Sequence, residues 1–181
     1  MRPLGRVAPT PAERLAARPG DDLLDAGVVM DRGFDLPAPP AAVWPWLLQL
    51  GKRRAGWYLP RPVERFVPRR RRALRRVDPS LARLEPGQDV PDWGGPRATL
   101  TVVLLEPEAT LLYRSARGAV TMTWCLSLTA TEGGSRVHSR VRLAGVRRRR
   151  LAEVGGGVLD GLTIAGLAAG LDERLHVTRP R

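Results

Sequence analysis

Apolar residues alternate with polar ones along several segments of the chain, and this alternation predicts β-strands. The clearest segment runs from about Ala119 to Thr129. One parity is apolar and the other is mostly hydroxylated: Val120, Met122, Trp124, Leu126 and Leu128 against Thr121, Thr123, Cys125, Ser127 and Thr129. Because successive side chains of a strand point to opposite faces, we expect this strand to bury one face only.

Four further segments have the same period of two. They are Val28 to Leu36, where Arg32 interrupts the apolar parity, and about Ala98 to Glu106, Leu111 to Ser115 and Ser135 to Leu143. Short connections, including a Gly133-Gly134 turn, predict antiparallel neighbours. The last strand is also expected to bury one face, and its outward parity carries Arg136, His138, Arg140 and Arg142.

Two segments have helical patterns. Prolines before a compact apolar run and Gly51 after it predict a short helix from about Pro40 to Leu50, and a second short helix is possible between Trp57 and Val77. A long apolar helix is predicted from about Leu151 to Leu175. Its glycines indicate close backbone approach to another element: Gly157, Gly161, Gly166 and Gly170.

The long helix has a second interpretation as a membrane span, because Arg147 to Arg150 precede about 18 mostly apolar residues. Asp160 lies in the middle of this stretch, and the stretch is near the lower length limit for a span. The predicted sheet also needs a covering element. We therefore favour a helix that belongs to the domain.

The chain has 181 residues, which fits one domain. Residues 1–26 are rich in proline and arginine and are expected to form a flexible leader, with one helical turn near Ala12 to Ala17. Residues 27–176 form the predicted domain, and residues 177–181 form a tail. Cys125 is the only cysteine, so no internal disulfide can form, and with no apolar secretory segment at the start we expect a cytoplasmic protein.

A net charge of +12 comes almost wholly from arginine, since Lys52 is the only lysine among 30 basic residues. Two blocks, Arg69 to Arg76 and Arg147 to Arg150, could contact nucleic acid or an anionic membrane surface, because the guanidinium group binds phosphate well. The alternative is that the arginine bias reflects GC-rich coding and that both blocks are solvated surface. We favour this alternative, since no nucleic-acid-binding motif is present.

The order of predicted elements, together with several segments, resembles the START-like, helix-grip superfamily, also called the polyketide cyclase and dehydrase-like or SRPBCC group. The segments are VVMDRGFDLPAPPAAVWPWLLQLGKRRAGWY at 28–58, then EPGQDVPDW, VTMTWCLSL, GGSRVHSRVRL and LDGLTIAGLAAGLDERL. The resemblance covers about residues 27–175. It is greatest to uncharacterised bacterial members that share Trp44 to Gly51 and Ala55 to Tyr58.

This resemblance implies an α+β fold in which a curved antiparallel sheet wraps around the C-terminal helix and encloses a cavity. Members bind hydrophobic molecules such as lipids or polyketides, and a few catalyse cyclisation or dehydration. No cofactor and no metal are expected, and binding is favoured over catalysis. The candidate ligand-binding residues are Trp44, Trp57, Tyr58, Trp93, Met122, Trp124, Leu162 and Leu167, each of which could instead simply fill the core.

Candidate catalytic groups are few, and no catalytic residue is assigned. His138 is predicted to face outward and His176 ends the last helix, so surface histidine is the favoured interpretation of both. Tyr58 or Asp92 could assist a reaction in a cavity, although Asp89 and Asp92 are typical of turns beside Pro91. Cys125 has no predicted thiolate-stabilising partner and is interpreted as structural.

Overall fold

A computed structural model describes residues 7–178 and shows an α+β fold built on one antiparallel sheet. The order of its six strands is β1-β6-β5-β4-β3-β2. The strands are β1 Val28–Leu36, β2 Asp89–Pro91, β3 Thr99–Glu106, β4 Thr110–Arg117, β5 Val120–Thr131 and β6 Gly134–Ala144. With a long C-terminal helix against this sheet, the predicted helix-grip fold class is confirmed.

Five strands were predicted from alternation, and their observed bounds differ from the predicted ones by at most two residues. Strand β2 was not predicted, because it has only three residues and includes Pro91. Proline is tolerated there because β2 lies at the edge of the sheet. The β5–β6 hairpin forms where Gly133 and Gly134 were predicted to turn. At Gly134, with φ +145°, a Cβ atom would lie 2.2 Å from the carbonyl oxygen of Leu36.

The helices follow the predicted order. They are α1 Pro11–Leu15, α2 Pro40–Gln49, α3 Arg61–Glu64, a 3-10 turn Arg69–Arg71, α4 Arg149–Leu151, a π turn Ala152–Gly156 and α5 Gly157–Thr178. The last three are continuous, and we call residues 149–178 the C-terminal helix. It is long and apolar enough to cross a bilayer, but residues 164–168 and 170–171 are buried within the domain, as expected for a covering helix.

The core lies between the helices and one face of the sheet, which we call the inner face. Its largest contributions come from α2, the central strands and the C-terminal helix: Val43, Trp46, Leu47, Leu111, Leu126, Val137, Leu167 and Leu171. Pro45 is the sixth residue of α2, so its missing amide N–H leaves the Ala41 carbonyl without the usual helical donor. Burial of these side chains fixes the position of the C-terminal helix across the sheet.

We call residues 7–24 the N-terminal segment. Val7 packs against the core at the edge of β1, and residues 13–24 lie against the opposite, outer face of the sheet. The Val7 carbonyl accepts a hydrogen bond from the Gly33 amide at 3.1 Å, and helix α1 begins with a capping box between Thr10 and Glu13. Arg136 of β6 donates to the Glu13 carboxylate at 2.8 Å. The flexibility predicted for residues 1–26 stays a prediction, and residues 1–6 lie outside the described residues.

The N-terminal segment covers part of the outer face of β5 and β6. The prediction that these strands bury only one face is wrong, because Thr123, Cys125 and Ser127 are buried beneath the N-terminal segment. The surface interpretation of His138 is also wrong, since its residue is 2 % exposed and its Nε2 atom lies 3.0 Å from Asp31 Oδ1. The polar face is therefore buried against a polar segment, although among the described residues the Nδ1 atom of His138 has no hydrogen-bond partner.

Arg140 shows how that face is satisfied. The side chain is buried, pairs with Asp21 at 2.7 Å and Asp31 at 2.8 Å, and donates to carbonyl oxygens of residues 13, 14 and 16. Burial opposes ionisation of Asp31, but hydrogen bonds from His138 and Arg140 outweigh it and lower the pKa of Asp31. The N-terminal segment is therefore attached through charge-assisted hydrogen bonds.

The arginine block at 69–76 divides into two parts. Arg69–Arg72 are exposed, as predicted for a solvated block. Arg75 is partly exposed, and its guanidinium pairs with Glu64 of α3 and Glu173 of the C-terminal helix. Glu64 and Glu173 lie 11 and 98 residues from Arg75 along the chain, so the sequence around Arg75 does not indicate these ion pairs.

Candidate functional site

An aromatic cluster lies on the inner face, below the C-terminal helix. Tyr113 of β4 and Trp124 of β5 are cross-strand partners, and their rings stack with centroids 5.6 Å apart. Trp57 stacks on Trp124 at 6.1 Å, and Trp93 meets Trp57 edge-on at 5.7 Å. We call these four residues the aromatic cluster. Such offset and perpendicular contacts suit the ring quadrupoles.

Two indole N–H groups of the aromatic cluster are satisfied inside the protein. Trp124 donates to the Ser139 hydroxyl at 2.9 Å, and Trp57 donates to the Thr163 carbonyl at 3.2 Å. The second bond fixes the cluster to the helix as well as to the sheet. Burial raises the pKa of Tyr113, so its phenol stays neutral near pH 7.

The aromatic cluster reaches the surface at one end. Trp93 is 49 % exposed, Met122 and Trp57 are half-buried, and Leu162 of the helix is exposed. Trp124 and Tyr113 at the other end are buried. The ring contacts therefore run from half-exposed Trp93 at the surface to buried Trp124 and Tyr113 on the inner face.

A charged pair lies beside the aromatic cluster. Arg32 occupies the inner parity of β1, opposite Ser139, and its Nε atom lies 2.9 Å from Asp160 Oδ2 on the helix. It also donates to the Gly157 carbonyl. Burial raises the pKa of Asp160, and the Arg32 charge opposes that rise. Arg32 was noted in the sequence only as an interruption of the apolar pattern.

Other predicted site residues lie in the core. Trp44 and Leu167 belong to the main apolar cluster. Tyr58 is fully buried, donates from its hydroxyl to the Trp46 carbonyl at 3.0 Å, and packs under the Arg174 guanidinium. Burial raises the pKa of Tyr58, so this hydroxyl acts as a structural donor.

The aspartates near Trp93 also have structural partners. Asp92 pairs with Arg117 and accepts a hydrogen bond from the Trp93 amide at 2.6 Å, which orients the segment that carries Trp93. Asp89 accepts from Thr101 at 2.5 Å across the β2–β3 pair. Cys125 is buried and near Ser127, and burial raises the pKa of its thiol. These contacts agree with the turn and structural interpretations.

Two clefts are open at the surface. The first, of about 360 Å³, is lined by Asp35, Leu36, Pro37, Thr131, Gly133 and Asp172. The second, of about 180 Å³, is lined by Arg14, Val29, Met30, Asp31, Arg32, Glu153 and Gly157. Neither is bounded by the aromatic cluster. The closed cavity expected between sheet and helix stays a prediction.

Metal-binding side chains are not grouped in the part of the chain that the structure describes. Within residues 7–178, no three His, Cys, Asp or Glu side chains are close enough to hold one ion. His176 is partly exposed at the helix end, and its Nδ1 atom lies 2.8 Å from the Asp172 carbonyl oxygen. Two carboxyl groups are connected to the aromatic cluster: Asp92 accepts from the Trp93 amide, and Asp160 pairs with Arg32, which lies opposite Ser139.

Comparisons with known proteins find similarity in the fold, among solved structures. No protein-family model matches the chain, and no curated protein matches it. Protein MLL2253 of Mesorhizobium loti is similar in structure, with 19 % identity, a TM-score of 0.52, and coverage of 84 % of this chain and 100 % of that one.

Two further solved structures are similar to the same extent. A Rhodobacter sphaeroides protein has 18 % identity and a TM-score of 0.55, covering 85 % of this chain and 95 % of its own. Protein NE0264 of Nitrosomonas europaea has 20 % identity and a TM-score of 0.53, covering 85 % and 97 %. These likenesses concern the fold alone, an antiparallel sheet with a long C-terminal helix.

Proposed function

We propose that this chain is a START-like protein that binds an apolar small molecule, of lipid or polyketide type, between the inner face and the C-terminal helix. The observation that carries the proposal is the aromatic cluster, which begins at exposed Trp93 and ends at buried Trp124. Covering the exposed surface of Trp93 with an apolar molecule removes apolar area from water and therefore lowers the free energy.

The polar groups near the aromatic cluster would orient such a ligand. Ser139 lies opposite Arg32 in the sheet and accepts from Trp124, and Asp160 lies one helical turn from Thr163. A ligand with one hydroxyl or carboxyl end and an apolar body matches this arrangement, because a few polar groups in an apolar site set orientation.

Ligand capture provides the direct test. The purified protein is measured by native mass spectrometry and then extracted with solvent to identify any compound that is bound. We expect a near-stoichiometric apolar compound. In parallel, binding of a fluorescent fatty acid is titrated, and saturable binding at one site is expected.

Trp93→Ala should weaken fatty-acid binding roughly tenfold, since loss of one aromatic anchor typically costs about 1.4 kcal/mol or more. Phe66→Ala is the matched control, because Phe66 is another exposed aromatic side chain, on the segment after α3, and is not part of the cluster. The proposal fails if the probe does not bind saturably or if both variants weaken binding equally.

Catalysis on the bound molecule is a second candidate, favoured by one observation. Asp160 combines a raised pKa with a position beside the aromatic cluster, as a proton-transferring carboxyl requires. The test compares the compounds extracted from wild type and from Asp160→Asn. If Asp160 acts as acid or base, the variant should retain an unconverted precursor of different mass or ring number. Identical compounds in both proteins would count against catalysis.

A further inference from the structure

The first half of the C-terminal helix carries an apolar surface that no other element covers. Its side chains are between 58 % and 71 % exposed, and we call them the apolar helix face: Leu151, Val154, Val158, Leu159 and Leu162. They lie along a segment about 17 Å long at the usual helical rise. Scattered exposed aliphatic residues are common, but a contiguous row on one helix marks a binding surface.

The opposite side of this segment is already attached to the domain. Arg32 of β1 pairs with Asp160 and donates to the Gly157 carbonyl. Ile164 marks the point at which the helix becomes buried. The apolar helix face therefore points away from the sheet, and closing the helix onto the inner face would not bury it.

Arg147–Arg150 adjoin the apolar helix face and are all exposed. Within residues 7–178, Arg149 pairs with Glu153 at 2.9 Å, and the other three arginines have no acidic partner. Like charges gathered at the positive end of a helix repel one another and the helix dipole. An anionic surface relieves this repulsion.

We propose that the apolar helix face and Arg147–Arg150 together dock on an anionic lipid bilayer. Aliphatic side chains enter the boundary between head groups and acyl chains, while arginines bind lipid phosphates, so one surface needs both features. Nucleic acid offers phosphates but no apolar layer. A second copy would present the same four arginines, and the acidic group beside them, Glu153, already pairs with Arg149. The docking does not depend on the ligand proposed above.

Vesicle co-sedimentation tests the charged part. Vesicles of phosphatidylcholine mixed with phosphatidylglycerol are compared with phosphatidylcholine alone. We expect binding to the mixed vesicles, and the triple variant Arg147→Gln, Arg148→Gln, Arg150→Gln should reduce it on the order of 100-fold, at about fivefold per arginine. The matched control changes Arg69, Arg70 and Arg71 to Gln, which removes equal charge from another exposed site.

The apolar part is tested by Leu159→Gln, which should weaken binding to the mixed vesicles about tenfold. Leu15→Gln is the matched control, because Leu15 is an exposed leucine on α1. Both leucines are exposed, so thermal midpoints should stay unchanged and the comparison should not be affected by unfolding. Partial insertion should also protect the helix segment from proteolysis in the presence of mixed vesicles.

Several results would overturn the proposal. Equal losses in the two arginine triple variants would show that net charge alone acts. Equal binding to the mixed vesicles and to phosphatidylcholine alone would show that the arginines do not contribute. If the membrane-bound protein resists alkaline carbonate extraction, the helix spans the bilayer. A dimer abolished by Leu159→Gln without vesicle binding would make a second copy the occupant. Tighter binding to duplex DNA, insensitive to Leu159→Gln, would indicate a nucleic-acid surface.

Discussion

The two halves of the C-terminal helix are both apolar, yet they have opposite surroundings. Residues 164–175 carry the buried row Ile164, Leu167, Leu171 and Leu175, while residues 149–163 carry the exposed apolar helix face. The second half packs closely on the Tyr58-Leu59 segment, whereas the first half is held mainly through polar contacts of Arg32 and Trp57. Apolar composition therefore indicates that a helix will be covered, but not by what.

Glycines differ between the halves in the same way. A Cβ atom at Gly170 would lie 2.6 Å from backbone atoms of Tyr58 and Leu59, and one at Gly166 would lie 2.8 Å from the Leu59 side chain. At Gly155 no heavy atom lies within 4 Å, and at Gly161 the contacts are of ordinary van der Waals length. Close backbone approach, predicted for the whole row of glycines, is confirmed for the second half and wrong for the first.

Ion pairs show the third difference. Arg174 in the second half is 1 % exposed and pairs with Glu64 at 2.8 Å. Burial lowers the pKa of Arg174, and the Glu64 carboxylate opposes that change. Arg149 and Glu153 in the first half form an exposed pair. Loss of an ion pair should therefore lower the free energy of unfolding more in the second half than in the first.

Glu64→Gln gives the largest expected effect. Removing the Glu64 carboxylate from a buried pair weakens the compensation of the Arg174 charge, and breaking such pairs typically costs about 3–5 kcal/mol. Glu153→Gln is the matched control and should change stability by less than about 0.5 kcal/mol. Urea denaturation of both variants measures the difference. Similar costs for both variants would contradict the contrast between the halves.

Leu167→Ala should lower the free energy of unfolding by about 3 kcal/mol, because the buried side chain leaves a cavity in the core. Leu162→Ala removes the same atoms from an exposed position, and its effect should stay within about 0.5 kcal/mol. Chemical denaturation, monitored by circular dichroism, measures the free energy of unfolding of both variants. A loss at Leu162 as large as that at Leu167 would show that the first half is also packed in solution.

Gly170→Ala should destabilise by about 2 kcal/mol, since the added methyl group meets backbone that cannot move away easily. Gly155→Ala meets no atom and should gain up to about 1 kcal/mol from helix propensity. Thermal midpoints would therefore move in opposite directions. A loss at Gly155 would instead show that the π turn requires glycine.

The smallest effect concerns Asp160, at the junction of the halves. Its folded-state pKa is raised above the unfolded value by burial, so the wild type binds more protons when folded. Relative to Asp160→Asn, wild type should be most stable below the ordinary aspartate pKa and should lose stability as pH rises through the raised value. Urea midpoints across acidic to neutral pH check this sign. A difference that does not vary with pH would contradict the raised pKa.

Much of the fold could be predicted from local patterns. Strands β1, β3, β4, β5 and β6, helix α2 and the hairpin at Gly133 follow from alternation, proline placement and turn residues. Each of these signals acts within a few residues, so the sequence contains it directly. The three-residue strand β2 has too short a pattern to be recognised.

The candidate site could be predicted only in part. Trp57, Trp93 and Trp124 were selected for their size, and the structure brings them into contact. Tyr113 was missed, although it shares the inner parity of β4 with Leu111 and Ser115. Size indicates that an aromatic residue will be covered, but which residues meet depends on cross-strand register.

Local patterns in the sequence specify most strands and helices and the arginine run before the long apolar helix. Tertiary contacts bury His138 and Arg140 under the N-terminal segment, bring Arg32 to Asp160 and leave half of the helix uncovered. These contacts join residues that are far apart along the chain. Glu13 and Arg136, for example, are 123 residues apart, and no local pattern reports such a pairing.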